Sequence, residues 1–299
     1  EQIQQMLKHL KAQKLSKEVP LDSLSTLDEL GGRRHVHPAP VNGHWKSLRK
    51  IIHPILILFF LALPWVTHKG QQLVLLDIPR RQFNFFGLQF FAHDTPIIFF
   101  ILSGLLLGLS LVTALWGRIW CGWACPQTVF IESVFRKIET WVEGSYLERR
   151  KMAEKGRTFA QNLRCVTKWL IFLLVSLVLT HSFLAYFVGT DRLMEMVTRP
   201  PGENWTSFLV ICITTAIILF DSGWFREQFC LIMCPYGRFQ SVLLDQSSLN
   251  VFYDETRGEP RKGKATGKSG DCINCYRCVN VCPTGIDIRN GLQMECIAC

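Results

Sequence analysis

Pro96-Ile-Ile-Phe-Phe-Ile-Leu-Ser-Gly-Leu-Leu-Leu-Gly-Leu-Ser-Leu-Val-Thr-Ala-Leu-Trp116 is a run of 21 residues without a formal charge. A helix needs about 20 apolar residues to cross the hydrocarbon core of a bilayer, and this stretch supplies them unaided. Three further apolar blocks repeat the pattern: Ile51–Thr67, Trp169–Val188 and Trp205–Phe220. Trp169–Val188 meets the length as well. The first and fourth blocks are shorter and would use interfacial His or Trp residues at their ends. The fold class expected is an all-α membrane protein with at least four transmembrane helices. A buried helix of a soluble protein is the competing reading, and it bears mainly on the fourth block.

Charge orients the spans. Of 33 Lys and Arg, 28 lie before the first block, between the second and third, and after the fourth. Cytoplasmic loops carry the Lys/Arg excess. The N-terminus, the loop after the second span and the C-terminal region are therefore expected in the cytoplasm, in a multi-pass protein of the inner (cytoplasmic) membrane. The net charge of +9 is then mostly a topology signal. Nucleic-acid binding would need basic residues gathered on one recognisable module, so lipid is the expected partner and nucleic acid is not. The polar, basic first fifty residues show no cleavable signal peptide. Within them Ile3, Met6, Leu7 and Leu10 stand at helical spacing, which fits an amphipathic helix on the membrane or against a partner.

Twelve cysteines suggest either disulfides or metal work. Ten fall on the side assigned to the cytoplasm, where thiols stay reduced, so metal or redox chemistry is favoured. Cys165 and Cys212 stand singly by the third and fourth blocks and read as buried small hydrophobes. The most specific motif is Cys272-Ile-Asn-Cys275-Tyr-Arg-Cys278-Val-Asn-Val-Cys282-Pro283, the C-x2-C-x2-C-x3-C-P run of bacterial ferredoxins. Three cysteines on one short loop can hold three corners of an iron–sulfur cubane. The fourth, Cys282, departs on a helical turn toward a second cluster. Zinc is the bland alternative, but it seldom uses this spacing followed by Pro. A second run opens at Cys296-Ile-Ala-Cys299. Two [4Fe-4S] clusters are expected, on Cys272, Cys275, Cys278, Cys282, Cys296 and Cys299, with the remaining ligands beyond residue 299 in a longer chain. Residues 271–299 thus read as an incomplete ferredoxin-like module and 253–270 as a Gly- and Lys-rich linker. Residues 51–252 form the membrane domain and 1–50 a basic cytoplasmic segment.

Two more cysteine pairs follow apolar spans: Trp120-Cys121-Gly-Trp-Ala-Cys125-Pro126 and Phe229-Cys230-Leu-Ile-Met-Cys234-Pro235. Span plus C-x3-C-P is an internal repeat. A spacing of four puts both sulfurs of a pair on one helical face. Four thiolates could close a tetrahedral sulfur site for Cu(I), Zn or an iron–sulfur centre, act as redox dithiols, or simply pack at helix ends. His181 lies inside the third span, where an ionisable group is a candidate ligand for haem or copper; a bond to a neighbouring helix is the plainer role. His53 and Asp221 lie near span ends, where interfacial solvation suffices.

Gly117-Arg-Ile-Trp-Cys-Gly-Trp-Ala-Cys-Pro-Gln-Thr-Val-Phe130 resembles the cytochrome c oxidase accessory family called CcoG, FixG or RdxA. So do Arg81–Gly87, Thr180–Gly189, Arg226–Gln240 and Tyr253–Arg261. The resemblance implies a membrane polyferredoxin that assists maturation of cbb-type haem–copper oxidases by reducing Cu(II) to Cu(I). Oxidase copper-assembly factors and an unnamed electron donor would be its partners. Members of that family continue into another span and an immunoglobulin-like domain, which this sequence lacks. On this reading electrons enter at the clusters and reach copper near Cys121, Cys125, Cys230 and Cys234. The alternatives are a quinol-dehydrogenase subunit, as in the related NapH and NosR proteins, and a non-catalytic copper chaperone or scaffold.

Overall fold

The computed structural model describes residues 37–299 except 69, 79, 156–157, 201, 203, 244–247, 249–250, 252, 263–269, 291–295 and 298–299. The amphipathic pattern at Ile3–Leu10, and Cys299, lie outside the described residues. The chain forms two compact units, residues 41–249 with 297–299 and residues 1–40 with 250–296.

The larger unit is mostly helical. Its helices are α1 (His44–Ala62), α2 (Thr95–Trp116), α3 (Ile119–Trp123), α4 (Pro126–Phe130), α5 (Arg136–Glu143), α6 (Tyr146–Lys155), α7 (Phe159–Val188), α8 (Thr190–Thr198), α9 (Trp205–Phe220) and α10 (Pro235–Leu243). Among the described residues four helical stretches, the fourth being α9 with the π turn that follows it, are long and apolar enough to span a membrane, and they coincide with the four sequence blocks. Two reach further than the apolar runs. α1 begins seven residues before Ile51. α7 begins ten before Trp169, where Thr158 and Gln161 exchange hydrogen bonds in a capping box that satisfies the first free N–H groups.

α7 is the centre of the bundle, with 44% of its apolar window buried against 6% for α2. Phe135, Phe172 and Leu179 make the core, with Leu61, Phe130, Val175 and Ile218 packed around them. Phe135 meets Phe172 edge-on, ring centres 4.9 Å apart. The buried Thr215 on α9 donates to Thr180 on α7 at 3.1 Å, an interhelical bond of the kind that joins membrane helices. Tyr186 ties α7 to α1 through the Phe60 carbonyl at 2.6 Å. Outward-facing side chains such as Phe99, Phe100, Leu105 and Leu107 are exposed, as lipid contact demands.

Between α1 and α2 the structure adds strands that the helical reading did not anticipate: β1 (Thr67–His68), β2 (Gln71–Gln72), β3 (Val74–Asp77), β4 (Gln82–Phe85) and β5 (Leu88–Phe90). They pair antiparallel as β1–β2 and as β3–β4–β5, with Val74 opposite Phe85 and Phe85 opposite Leu88. Runs of two to four residues are too short for alternation to register. Phe86 and Gly87 both have positive φ, 51° and 86°, as a two-residue hairpin turn requires. Gln72 anchors the hairpins to the end of α7 by donating to the Ala185 carbonyl at 2.9 Å.

The smaller unit carries α11 (Glu255–Gly258) and α12 (Arg277–Val281). Its segment 253–262, expected as a tether, is bonded back onto the cysteine loop. Asp254 caps α11 through Thr256 and Arg257 N–H. Asp271 N–H donates to the Arg257 carbonyl, Gly270 N–H to Pro260 and Lys262 N–H to Cys272, all within 3.0 Å. A Gly- and Lys-rich composition signals low packing, but it does not prevent backbone pairing. Ala39 N–H donates to the Asn280 carbonyl at 2.7 Å, so residues expected as part of a basic tail join this unit.

Candidate iron–sulfur and thiol sites

In both C-x3-C-P pairs the second cysteine breaks the helix. Cys121 lies in α3, whereas Cys125 is extended (φ −61°, ψ 124°) and starts α4 with Pro126 at its first position. Cys230 lies in a π-helical turn, Phe229–Met233, and Cys234 is extended (φ −69°, ψ 111°) before Pro235. The expectation that each pair shares one continuous helical face is corrected here. Proline clashes with an α-helical predecessor and pushes that residue to extended geometry.

The two pairs are neighbours despite more than 100 residues between them. Cys121 donates its thiol to Gln240 Oε1 at 3.0 Å, and the Gln240 side-chain N–H donates to Thr113 Oγ1 at 3.1 Å. Gln240 is fully buried. Arg118 donates to the Gly237 carbonyl. Gly237 N–H in turn lies 3.4 Å from the Cys234 sulfur. Burial pushes the Cys121 thiol up to about 12, with Cys125 adding to the shift and Arg118 opposing it. Cys125 is raised by burial against two backbone N–H donors, those of Thr128 and Gln127. Cys230 is raised by burial and then by the neighbouring Cys125, Cys121 and Cys234. Among the described residues no three His, Cys, Asp or Glu side chains are gathered around one point as ligands of a single ion. A closed tetrahedral sulfur site would therefore need these thiols to turn toward a metal.

An ion-pair network within the larger unit joins the chain that follows Cys125 to the chain that precedes Cys230. Glu139 is bonded by Arg226 and by Arg149, the latter at 3.1 Å. Arg136 bridges Glu132 and Glu227, and Lys46 reaches Glu132 at 2.9 Å. All but Lys46 have side chains about nine-tenths buried, so a lost partner would leave an uncompensated charge. Burial would raise Glu139, yet Arg226 outweighs it and holds the carboxyl below its usual range. Arg226 stands four residues before Cys230 in a left-handed backbone (φ 46°).

The other titratable candidates separate from this site. His181 Nδ1 lies 2.7 Å from the Leu177 carbonyl of its own helix. His53 is buried, with Nδ1 2.8 Å from Ser133 Oγ, so packing rather than interfacial solvation accommodates it. Asp221 is half-buried and opens the π turn Asp221–Phe225. Cys212 is exposed on α9, not buried, while Cys165 is half-buried on α7. The cysteine pattern drew attention away from Arg118, Gln240, Glu139 and Arg226. For Arg118 and Arg226 the available signal was a charged side chain within a few residues of an apolar span; Glu139 and Gln240 lie well away from any span and had none.

In the smaller unit, Cys272, Cys278 and Cys282 are half-buried, Cys275 is exposed and Cys296 is buried. Asn274 and Tyr276 between the first three have φ of 57° and 58°. Left-handed residues alternating with others turn successive N–H groups into a concavity that receives anions, including iron–sulfur groups. Backbone N–H at Asn274, then the Tyr253 hydroxyl, favour the Cys272 thiolate over its thiol. This donor set of thiols on an amide-lined loop fits a [4Fe-4S] cluster, which takes one thiolate at each iron rather than four at one ion.

Comparison with known proteins agrees. Residues 225–299 match the 4Fe-4S dicluster domain family and residues 97–144 the 4Fe-4S binding domain family. The chain is 34% identical to Protein RdxA of Cereibacter sphaeroides over 89% of its length and 58% of RdxA. It is 34% identical to the nitrogen fixation protein FixG of Rhizobium meliloti over 89% of its length and 53% of FixG. It is 24% identical to the ferredoxin-type protein NapH of Escherichia coli over 80% of its length and 86% of NapH. No solved structure matches. The chain spans little more than half the length of RdxA and FixG. With four membrane-length helices among the described residues, the ferredoxin cysteine run and two 4Fe-4S matches, the chain is a helical iron–sulfur protein that is similar over most of its length to RdxA and FixG.

Proposed function

We propose that this chain is a membrane cupric reductase that supplies Cu(I) for assembly of a cbb-type cytochrome c oxidase. The observation that carries this is the meeting of Cys121 and Cys125 with Cys230 and Cys234 at one end of the bundle. Buried thiols hold their protons unless a cation replaces them, and binding a soft cation releases those protons. Thiolates favour Cu(I), so the same sulfurs would receive the substrate ion and stabilise its reduced form. Each Cu(II) takes one electron and leaves as Cu(I). A bound [4Fe-4S] cluster supplies one-electron storage. Cys272, Cys275, Cys278, Cys282, Cys296 and Cys299 are the ligands assigned to the two clusters, and the electron donor feeds that module. The module and the basic segments face the cytoplasm, and oxidase copper-assembly factors receive the product.

A second reading keeps electron transfer but puts iron on the paired thiols. It is favoured by the 4Fe-4S binding domain match over residues 97–144, where Cys121 and Cys125 are the sole cysteines. One experiment separates the two. In purified protein, replacing Cys121 and Cys125 together by Ser should abolish copper binding and anaerobic Cu(II) reduction while iron content and the electron paramagnetic resonance signals persist. Loss of iron instead supports the second reading. Retained copper binding removes the pairs from the copper site.

A further inference from the structure

The first span ends at Trp65 and the second begins at Pro96, and the sheet β3–β4–β5 between them has its faces reversed from those of a soluble protein. Directly paired residues of antiparallel strands share a face. The register therefore gathers Val74, Phe85 and Leu88 in one row, and Leu76, Phe83 and Phe90 in the next, on a single face. All six are apolar. Asp77, Gln82, Asn84 and Gln89 fall on the other face with Leu75. In water such a sheet turns its apolar face to the core and its polar face outward. Here the polar face is the one tied down. Asp77 and Asn84 are buried, Asn84 Nδ2 donates to the Gln72 carbonyl at 2.7 Å, and Gln89 donates to Gln71 Oε1 at 2.6 Å. The apolar face emerges strand by strand, from Val74 at 7% exposure to Phe85 at 39% and Leu88 at 66%.

We propose that this sheet is an interfacial membrane anchor, its apolar face lying against phospholipid acyl chains in the leaflet where the first span ends. Continuity with the bundle selects this occupant. Val74 and Leu76 share a groove of about 400 Å³ with Phe59 and Phe60 of α1 and Phe183 and Phe187 of α7. Phe59 and Phe183 are themselves exposed on the outer surface of membrane-length helices, so the sheet extends a surface that lipid already covers. Trp65 and Trp205 are exposed where the first span ends and the fourth begins, as side chains at a membrane–water boundary are. Apolar-out and polar-in is also the order of strands that face lipid in membrane barrels. The backbone sets the depth. An open sheet edge does not enter the hydrocarbon core, and β5 is an edge strand, so the sheet lies flat at the boundary.

Photocrosslinking tests this in the purified full chain, reconstituted in vesicles of phosphatidylethanolamine and phosphatidylglycerol. The photoreactive residue p-benzoylphenylalanine replaces, one at a time, Leu88, Gln82 on the opposite face, and Leu105 on α2, and the adducts are identified by mass. All three side chains are exposed, so the substitutions leave packing intact. Burying an apolar side chain of this size favours the leaflet over water by at least about tenfold. Phospholipid adduct at Leu88 should exceed that at Gln82 by about that factor and approach that at Leu105. A crosslink between two copies of the chain at Leu88 would make this face a self-association surface. Equal yields at Gln82 and Leu88, or lipid adduct at Leu105 with none at Leu88, would lift the sheet clear of the leaflet. Each of these results overturns the proposal.

Discussion

Gln240 carries no charge, yet it is the residue through which α2, α3 and α10 meet, accepting from Cys121 and donating to Thr113. A buried amide of this kind is costly unless both ends are satisfied, so it fixes one arrangement of its neighbours. Glu132 does similar work by charge. Burial would raise its carboxyl, but Arg136 and Lys46 outweigh burial and hold it at about 2, against an ordinary 4.5. A depressed carboxyl contributes stability that is present above its unfolded pKa and lost as pH falls from about 4.5 toward 2. The shift corresponds to about 3 kcal/mol. Glu132→Gln should therefore destabilise the protein at pH 7, and the gap to the unsubstituted protein should narrow as pH drops to 3. Thermal midpoints of the two proteins across that range check this. A gap independent of pH would assign the effect to packing. Neither residue was legible as a site member, because a lone Gln or Glu acquires its role only from the partners packing brings.

Among the elements, α10 shows how closely the second pair is enclosed. A Cβ on Gly237 would stand 2.6 Å from the Cys230 carbonyl, nearer than real side-chain carbons approach. Gly237→Ala must push α10 away and carry Gln240 off Cys121. We expect copper affinity to fall at least tenfold in this variant, measured by competition with a Cu(I) chelator. Gly104→Ala on α2, with nothing within 4 Å, should leave affinity unchanged. Unaltered affinity in Gly237→Ala would separate α10 from the binding geometry. The helix breaks at Cys125 and Cys234 belong to this scale too. They were foreshadowed by Pro126 and Pro235, although the spacing of four concealed them by matching a helical turn.

For the whole molecule, the crowding of 28 of 33 basic residues into alternate segments argues for one orientation. Asp191 is exposed on α8 and Lys137 on α5. In intact cells a membrane-impermeant thiol reagent should label Asp191→Cys, and it should reach Lys137→Cys only after permeabilisation. The reverse pattern would invert the topology and move the paired thiols to the other side. The ion-pair network of Glu139, Arg226, Arg149, Glu132 and Arg136 shows why such a surface stays ordered. Segments from the turn before α5 to past α9 are held by charges that have little water to turn to.

What the sequence determined by itself is whatever a local rule compels. Four spans were legible because hydrocarbon accepts little besides a long apolar helix, and the ferredoxin run because ligand spacing along one loop is itself the motif. The tertiary structure alone decided which thiols meet, that His53 is buried on Ser133, and that short hairpins cap α7. Each of these joins residues separated by about 80 to more than 100 positions, or depends on a turn too short to carry a period. Such pairings are selected by packing and by the need to satisfy buried polar groups, and neither is written in any single stretch of chain.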